Sequence, residues 1–230
     1  LAKSVAKDTC DLDGKVLLEK SVNIINDWSS FFKPERKGLT HEEYVGIWGE
    51  LYFLKFKLMP ELDNPVKVID YWIGPSGKKE NRAKQDFTFD NLAFEIKTTM
   101  SGSSKDIKIS SKDQLDKITE ELYLVNIFIN QTESESGISL QEIYDIIIRK
   151  ISSSEGFKID FVKKANQFMS KASDKQLKQK LQYMDSIIYL VDDNFPALNH
   201  KNIPEGIIET KYIISSTSIR SFITKKTIKE

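Results

Sequence analysis

Gln85-Asp86-Phe87-Thr88-Phe89-Asp90-Asn91-Leu92-Ala93-Phe94-Glu95-Ile96-Lys97-Thr98-Thr99 reads as two short strands joined at Asp90-Asn91, a β-hairpin. A two-residue loop sets the register, so Phe89 pairs with Leu92, Thr88 with Ala93, Phe87 with Phe94 and Asp86 with Glu95. Side chains alternate between the faces of a strand. One face then carries Phe87, Phe89, Phe94 and Ile96, and the other carries Asp86, Glu95 and Lys97. Like charges directly opposite each other destabilise a sheet by about 0.2–1 kcal/mol. Acids placed this way, with a lysine two residues on, point to a cation between them.

Upstream, Thr40-His41-Glu42-Glu43 is a capping box. Tyr44, Ile47, Trp48, Leu51, Leu54 and Leu58 follow at helical spacing and predict a buried stripe that ends before Pro60. Gly46 and Gly49 each cost this helix about 1 kcal/mol against Ala, which suggests close approach of another backbone or a ligand. Glu50 flanks the stripe and can face a cleft. Val66–Trp72 reads as a strand and Gly74-Pro75-Ser76-Gly77 as a turn. Downstream, Ser101-Gly102-Ser103-Ser104 is a loop and Ile107–Ser110 a short edge segment. Ser111-Lys112-Asp113-Gln114 is a second capping box, opening a helix to about Glu121, and Leu122–Asn130 is a central strand. Further on, Leu140–Ser152, Asp160–Ser170 and Lys175–Met184 read as helices, and Ser186–Val191 and Lys211–Ser216 as strands.

Asp86 with Glu95-Ile96-Lys97 resembles the PD-(D/E)xK nuclease superfamily, whose core hairpin carries an Asp and then a Glu-x-Lys on the next strand. Glu-x-Lys alone is common by chance. The wider set is more specific: Gly49-Glu50-Leu51, Trp72-Ile73-Gly74-Pro75, Gln85-Asp86-Phe87, Glu95-Ile96-Lys97-Thr98-Thr99, Ile109-Ser110-Ser111, Gln114-Leu115 and Phe195-Pro196-Ala197-Leu198, in that order. Together they are similar to a bacterial family known only as PD-(D/E)xK motif proteins of unknown function, from about Leu39 onward. The fold implied is α/β, with a restriction-endonuclease-like core ordered helix, three strands, helix, strand, in a mixed sheet flanked by helices. Segments 1–38 (one helix, about Val16–Phe32), 39–130 (the core) and 131–230 (an α/β extension packed on the core) are the expected domains. Family members are longer at the N-terminus, and the chain opens at Leu1, so 1–38 is expected to be the remnant of a longer region.

Composition bounds the rest. The 230 residues, 40% hydrophobic and 30% charged, describe a soluble globular chain with enough length for a substantial core. No apolar run approaches a membrane span and no start resembles a signal peptide. Cys10 alone excludes an internal disulfide and a cysteine-based zinc site, which favours the cytoplasm. His41 and His200 leave little material for histidine chemistry. A formal net charge of zero argues against DNA binding by bulk charge, but not against a local basic stripe. Lys78, Lys79, Arg82 and Lys84 precede the hairpin, and Lys105, Lys108 and Lys112 follow it; the alternative is that these are solvated loop lysines.

The resemblance implies a Mg²⁺-dependent endodeoxyribonuclease of restriction type, cutting foreign DNA in bacterial defence, with Mn²⁺ as a substitute ion. Mg²⁺ prefers oxygen ligands. Asp86, Glu95 and the Ile96 carbonyl are the expected ligands, with Lys97 at the scissile phosphate and Glu50 as an auxiliary acid. Lys97 read alone could instead pair with Glu95 or Asp86, and Glu50 could be a solvent-facing helix acid. Gln114 serves either the site or its capping box. Lys84, Lys105, Lys108, Lys112 and Gln114 are candidate DNA contacts, whereas Trp48 and Trp72 read as core. Expected partners are double-stranded DNA, a second copy in a homodimer, and a cognate DNA methyltransferase or other defence-system subunits, with no membrane. The competing reading is a non-catalytic nuclease-fold module that holds DNA or assembles a defence complex.

Overall fold

The computed structural model describes Gly14, Val16, Leu17, residues 37–74 and residues 85–225. The expected N-terminal helix therefore lies largely outside the described residues, as do the turn from Pro75 and the basic residues Lys78, Lys79, Arg82 and Lys84. The described residues from Gly38 onward belong to one compact unit.

Helix α1, His41–Phe53, starts where the capping box puts it: the Thr40 side chain accepts from the Glu43 N–H, and Glu43 accepts from the Thr40 N–H at 2.8 Å. A π-helical turn, Leu54–Leu58, continues it. Every residue of the expected stripe is buried. The hairpin follows as β1, Phe87–Thr88, and β2, Leu92–Met100, with Phe87 opposite Phe94 and Thr88 opposite Ala93. The Phe89 N–H to Leu92 carbonyl bond closes the two-residue loop at 2.7 Å.

Strand β3, Ile107–Ile109, precedes β4, Glu121–Gln131, which runs parallel to β2. After β5, Ile138–Ser139, come helices α3, Leu140–Lys150, α4, Glu155–Met169, and α5, Asp174–Lys178. Helix α2 is the short Val68–Tyr71 segment before the hairpin. Strand β6, Lys180–Leu190, is antiparallel to β4, and β7, Tyr212–Ile214, pairs with β3 in a separate two-stranded ribbon. Among the described residues the main sheet is ordered β1-β2-β4-β6-β5, with β8, Ile223–Thr224, also on β6. This curled mixed sheet flanked by helices has the α/β class expected of a restriction-endonuclease-like core. The sheet runs through residue 130, so β6 from the extension belongs to the same layer as the hairpin.

Alternation along β2 and β4 divides the core. Phe94, Ile96, Val125 and Ile127 face α1, α3 and α4, packing with Trp48, Phe53, Ile143 and Phe161. Ala93, Leu122 and Leu124 face the other way and pack with Ile107, Ile109, Phe195 and Ile214 of the ribbon and C-terminal region. A Cβ on Gly49 would lie 1.8 Å from Thr98 Oγ1, so this glycine lets α1 approach β2 closely. Gly46 has nothing within 4 Å of the same position.

Three local expectations fail for physical reasons. Val66–Trp72 is helical rather than a strand: Pro65 opens a 3₁₀ turn, Pro65–Lys67, and α2 follows, leaving only Trp72 bridged to Phe87. Proline is preorganised for a helix start, and the Ile69 carbonyl at the end of α2 accepts from Lys164 Nζ at 2.7 Å. The segment after Ser111 is one 3₁₀ turn, Lys112–Leu115, instead of a helix to Glu121, because Asp116 is extended and nearby carbonyls are taken by Gln85. Lys175–Met184 is helical only to Lys178. From Lys180 it is strand β6, where Leu181 packs into the core.

Gly49→Ala is expected to lower stability by about 1–3 kcal/mol through overpacking against Thr98. Gly46→Ala is expected to raise it by about 0.5–1 kcal/mol through helix propensity alone. Urea unfolding midpoints check both; equal shifts of the same sign would contradict the packing account.

Candidate active site

Strand β1 is only two residues long, so the outer edge of β2 beyond Phe94 is not covered by it. Along this edge opens a cleft of about 580 Å³, lined by the start of α1, the middle of β2, the ribbon and the Ser110–Gln114 segment. Asp86, Glu95, Ile96, Lys97, Glu50 and Gln114 all line it.

Asp86 reaches the cleft by a route that register alone does not give. Its N–H donates to the Phe94 carbonyl, although Phe94 is already paired with Phe87. Two residues of the first strand thus stand opposite one of the second, the arrangement of a β-bulge, which re-aims side chains near functional sites. The expected pairing of Asp86 with Glu95 is accordingly broken. The Asp86 carboxylate instead accepts the Ile96 N–H through Oδ2 at 2.7 Å. In a strand, a residue's N–H and C=O point to the same side. The Ile96 N–H is held by Asp86, and two residues earlier the Phe94 carbonyl is held by the Asp86 N–H. The Ile96 carbonyl therefore lies on the same open edge.

Glu95 and Asp86 are each only 1% exposed. Glu95 Oε1 lies 3.0 Å from Lys97 Nζ, so the expected alternative pairing of Lys97 with Glu95 is present within the cleft. Lys97 Nζ also donates to Gln114 Oε1 at 3.0 Å, and Gln114 Oε1 accepts the Ser110 N–H at 2.8 Å. Gln114 thus serves the cleft rather than the capping box, while Ser111 caps the turn by accepting from the Asp113 N–H. Lys97 remains 16% exposed, which leaves its ammonium accessible from the cleft.

Glu50 enters from α1, on the face of the sheet opposite Lys97. Its Oε2 accepts from Trp72 Nε1 at 2.9 Å. Trp72 is fully buried, so its single donor ties the acid to the core. Trp48 is fully buried as well.

The basic candidates divide. Lys108 lines the cleft and pairs across its mouth with Glu42 at 3.5 Å, both side chains being exposed. Lys112 is directed elsewhere, to the Ile207 carbonyl at 3.1 Å, and Lys105 sits 5.9 Å from the Phe128 ring centre. Neither of these two lines the cleft among the described residues, and Lys84 lies outside them. Sequence reasoning missed Ile213 of β7, which joins the cleft wall opposite α1. The strand there was legible, but its pairing with β3 was not.

Two buried carboxylates and a backbone carbonyl from residues lining one cleft are an all-oxygen donor set suited to a hard divalent cation. No group of three or more His, Cys, Asp or Glu able to hold a metal ion occurs among the described residues, so such an ion would depend on the carbonyl and solvent for its other ligands. The family model that matches residues 2–217 is DUF4420, described as "Putative PD-(D/E)XK family member". The chain belongs to this family. No curated protein and no solved structure matches it. The DUF4420 match covers the hairpin, α1 and the ribbon alike, so the cleft is built wholly from matched residues. No helix among the described residues is long and apolar enough to cross a membrane.

Trp72→Phe removes the only donor of that ring, and hydrogen bonds to charged groups contribute about 1.5–3 kcal/mol. The variant is expected to lose stability in that range, whereas Glu50→Gln, which retains an acceptor, should lose less. Guanidinium unfolding of both variants checks this; equal losses would remove Glu50 from its tie to the core.

Proposed function

We propose that this protein is a metal-dependent DNA endonuclease of restriction type, acting against foreign DNA. The observation that carries the reading is the meeting of Asp86, Glu95, Ile96 and Lys97 at one uncovered strand edge within a single cleft. Asp86, Glu95 and the Ile96 carbonyl would hold Mg²⁺, or Mn²⁺ in its place. When bound, the ion supplies charge neutralisation at the phosphoryl oxygens.

The chain's own groups do the positioning. Lys97, held by Glu95 and Gln114, presents an ammonium to the phosphate and orients the attacking water. Glu50, fixed by Trp72, offers a further acceptor for solvent from the other face of the sheet. Preorganised charge of this kind acts where negative charge develops in phosphoryl transfer.

Cleft electrostatics make substrate binding depend on the ion. Among the described lining residues, Glu42, Glu50, Asp86, Glu95 and Asp106 oppose only Lys97 and Lys108. Such a cleft repels a phosphate backbone until cations offset its acids. The same excess of acid, with the chain's zero net charge, favours the second reading, a nuclease-fold module that assembles with defence subunits without cutting. A bacterial cytoplasmic setting, a homodimer and a cognate methyltransferase belong to the proposal and not to the observed geometry.

Plasmid cleavage with Mg²⁺ is expected for the wild type, falling at least a hundredfold for Asp86→Ala, Glu95→Ala and Lys97→Ala. Mn²⁺ should raise the thermal midpoint of the wild type, as any ligand selective for the folded state does, and leave that of Asp86→Asn unmoved. Equal cutting by the wild type and all three alanine variants would refute the assignment. Folded protein with neither cutting nor a metal-dependent midpoint would favour the assembly module.

A further inference from the structure

We propose that Gln85 is a positioning residue, whose buried amide shapes the Lys112–Leu115 turn and, through Gln114, holds the Lys97 ammonium in the cleft. Its relevance to catalysis rests on the nuclease reading; its effect on Lys97 does not.

Gln85 is fully buried. Its Nε2 lies 3.3 Å from the Asp113 carbonyl, 3.3 Å from that of Gln114 and 3.0 Å from that of Asp116. Three acceptors around one amide atom fix that atom as nitrogen, since an oxygen there would face only lone pairs. Two N–H groups shared among three carbonyls replace the bonds that a continuing helix would have made. This is why the segment stops after one turn and Asp116 becomes extended. The side chain at Gln114 is left on the cleft side, with Oε1 accepting from both the Ser110 N–H and Lys97 Nζ.

The arrangement matters because lysine carries a point charge on a flexible stem. With Glu95 as its one partner, the ammonium could swing about a single contact. With Gln114 as the second, at the same 3.0 Å distance, it is held between two acceptors. Gln85 also precedes Asp86, whose bulge places the first acid. One dipeptide therefore sets both ends of the site: Asp86 directly, and Lys97 by way of the turn.

The test reads Lys97 itself. An amine-selective acylating reagent, followed by peptide mass spectrometry, gives the Lys97 labelling rate, with Lys108 as the reference amine. Gln85→Leu and Gln114→Leu are each expected to speed Lys97 labelling by roughly tenfold, the scale of one lost hydrogen bond to a charged group. The double variant should go no further, because both act through one contact. Coupling to Gln114 is the readout that simple loss of packing would not move: a Gln85→Leu effect that added in full to that of Gln114→Leu would be general loosening and would overturn the proposal.

Plasmid cleavage is measured beside labelling. Slower cutting by Gln85→Leu with faster Lys97 labelling supports the proposal together with the nuclease reading. The labelling response with neither wild-type cutting nor a Mn²⁺-dependent midpoint supports the positioning and favours the assembly module over the nuclease. Folded Gln85→Leu with Lys97 labelling within twofold of wild type overturns the proposal. If Gln85→Leu does not fold, Gln85→Met, which keeps the side-chain length without the amide, takes its place, and labelling within twofold of wild type in that variant or in Gln114→Leu overturns it equally.

Discussion

The bond from the Ile96 N–H to the Asp86 carboxylate, 2.7 Å long and buried, is the constraint on which the cleft depends. Beyond Phe87, β2 has lost the regular partner that would satisfy its outer backbone groups, and an unpaired buried N–H costs about as much as a lost hydrogen bond. The acid supplies that partner with its side chain in place of a strand. The ladder ends there without an orphaned donor, and the next carbonyl on the edge is left facing the cleft. A hairpin running on in regular register would have covered this edge and sealed the site. Ending the strand and exposing the edge are one structural event, performed by the residue that also brings the first carboxylate.

Packing on the far side fixes where that edge stands. Helix α1 approaches β2 closely at Gly49 and Thr98, and Phe53 packs near both Phe87 and Phe94, at 5.6 and 5.4 Å between ring centres. Close approach on this face brings Glu50 to the cleft, because Glu50 directly follows the contact glycine. Gly46, one turn earlier, meets no such neighbour and lines the open cleft instead. The two glycines lower the helix's own propensity for different ends: one gives up a side chain for contact with the sheet, and the other leaves the cleft wall bare.

The hairpin, the α1 stripe and the central strand were legible because each is governed by local chemistry: a two-residue loop, a capping box, an alternation of apolar residues. Long-range contacts decide what was not legible. Val66, Val68 and Ile69 favour strands by type, yet Pro65 and the packing of Val68, Ile69 and Trp72 at helical spacing give a short helix. Tertiary packing commonly overrides a propensity worth about 1 kcal/mol. The turn after Ser111 has a valid helix start, but its stop signal is Gln85, 28 residues from the nearest of its acceptors. At the site, the acids and the lysine could be named from spacing. The bulge could not, since a one-residue slip leaves no mark in composition, and it changes how Asp86 arrives rather than whether it does.

Charge explains why such a site can sit in a chain of zero net charge. Burying two carboxylates in one cleft has a desolvation cost, and the acid excess along the lining adds repulsion. A nearby lysine offsets part of it, and Lys97 is held so that its ammonium stays with Glu95 instead of leaving for solvent. Moving the balance wholly to surface lysines would make the cleft attractive to any polyanion at all times. Under the proposed function, leaving it acidic would make attraction conditional on a divalent ion, so that binding and readiness to react would appear together. The pairing of Lys108 with Glu42 across the mouth acts in the same direction, because the cation nearest the entrance is already engaged. Exposed pairs of this kind contribute at most about 1 kcal/mol, which under the proposed function is little enough for a phosphate to displace once the acids behind it are neutralised.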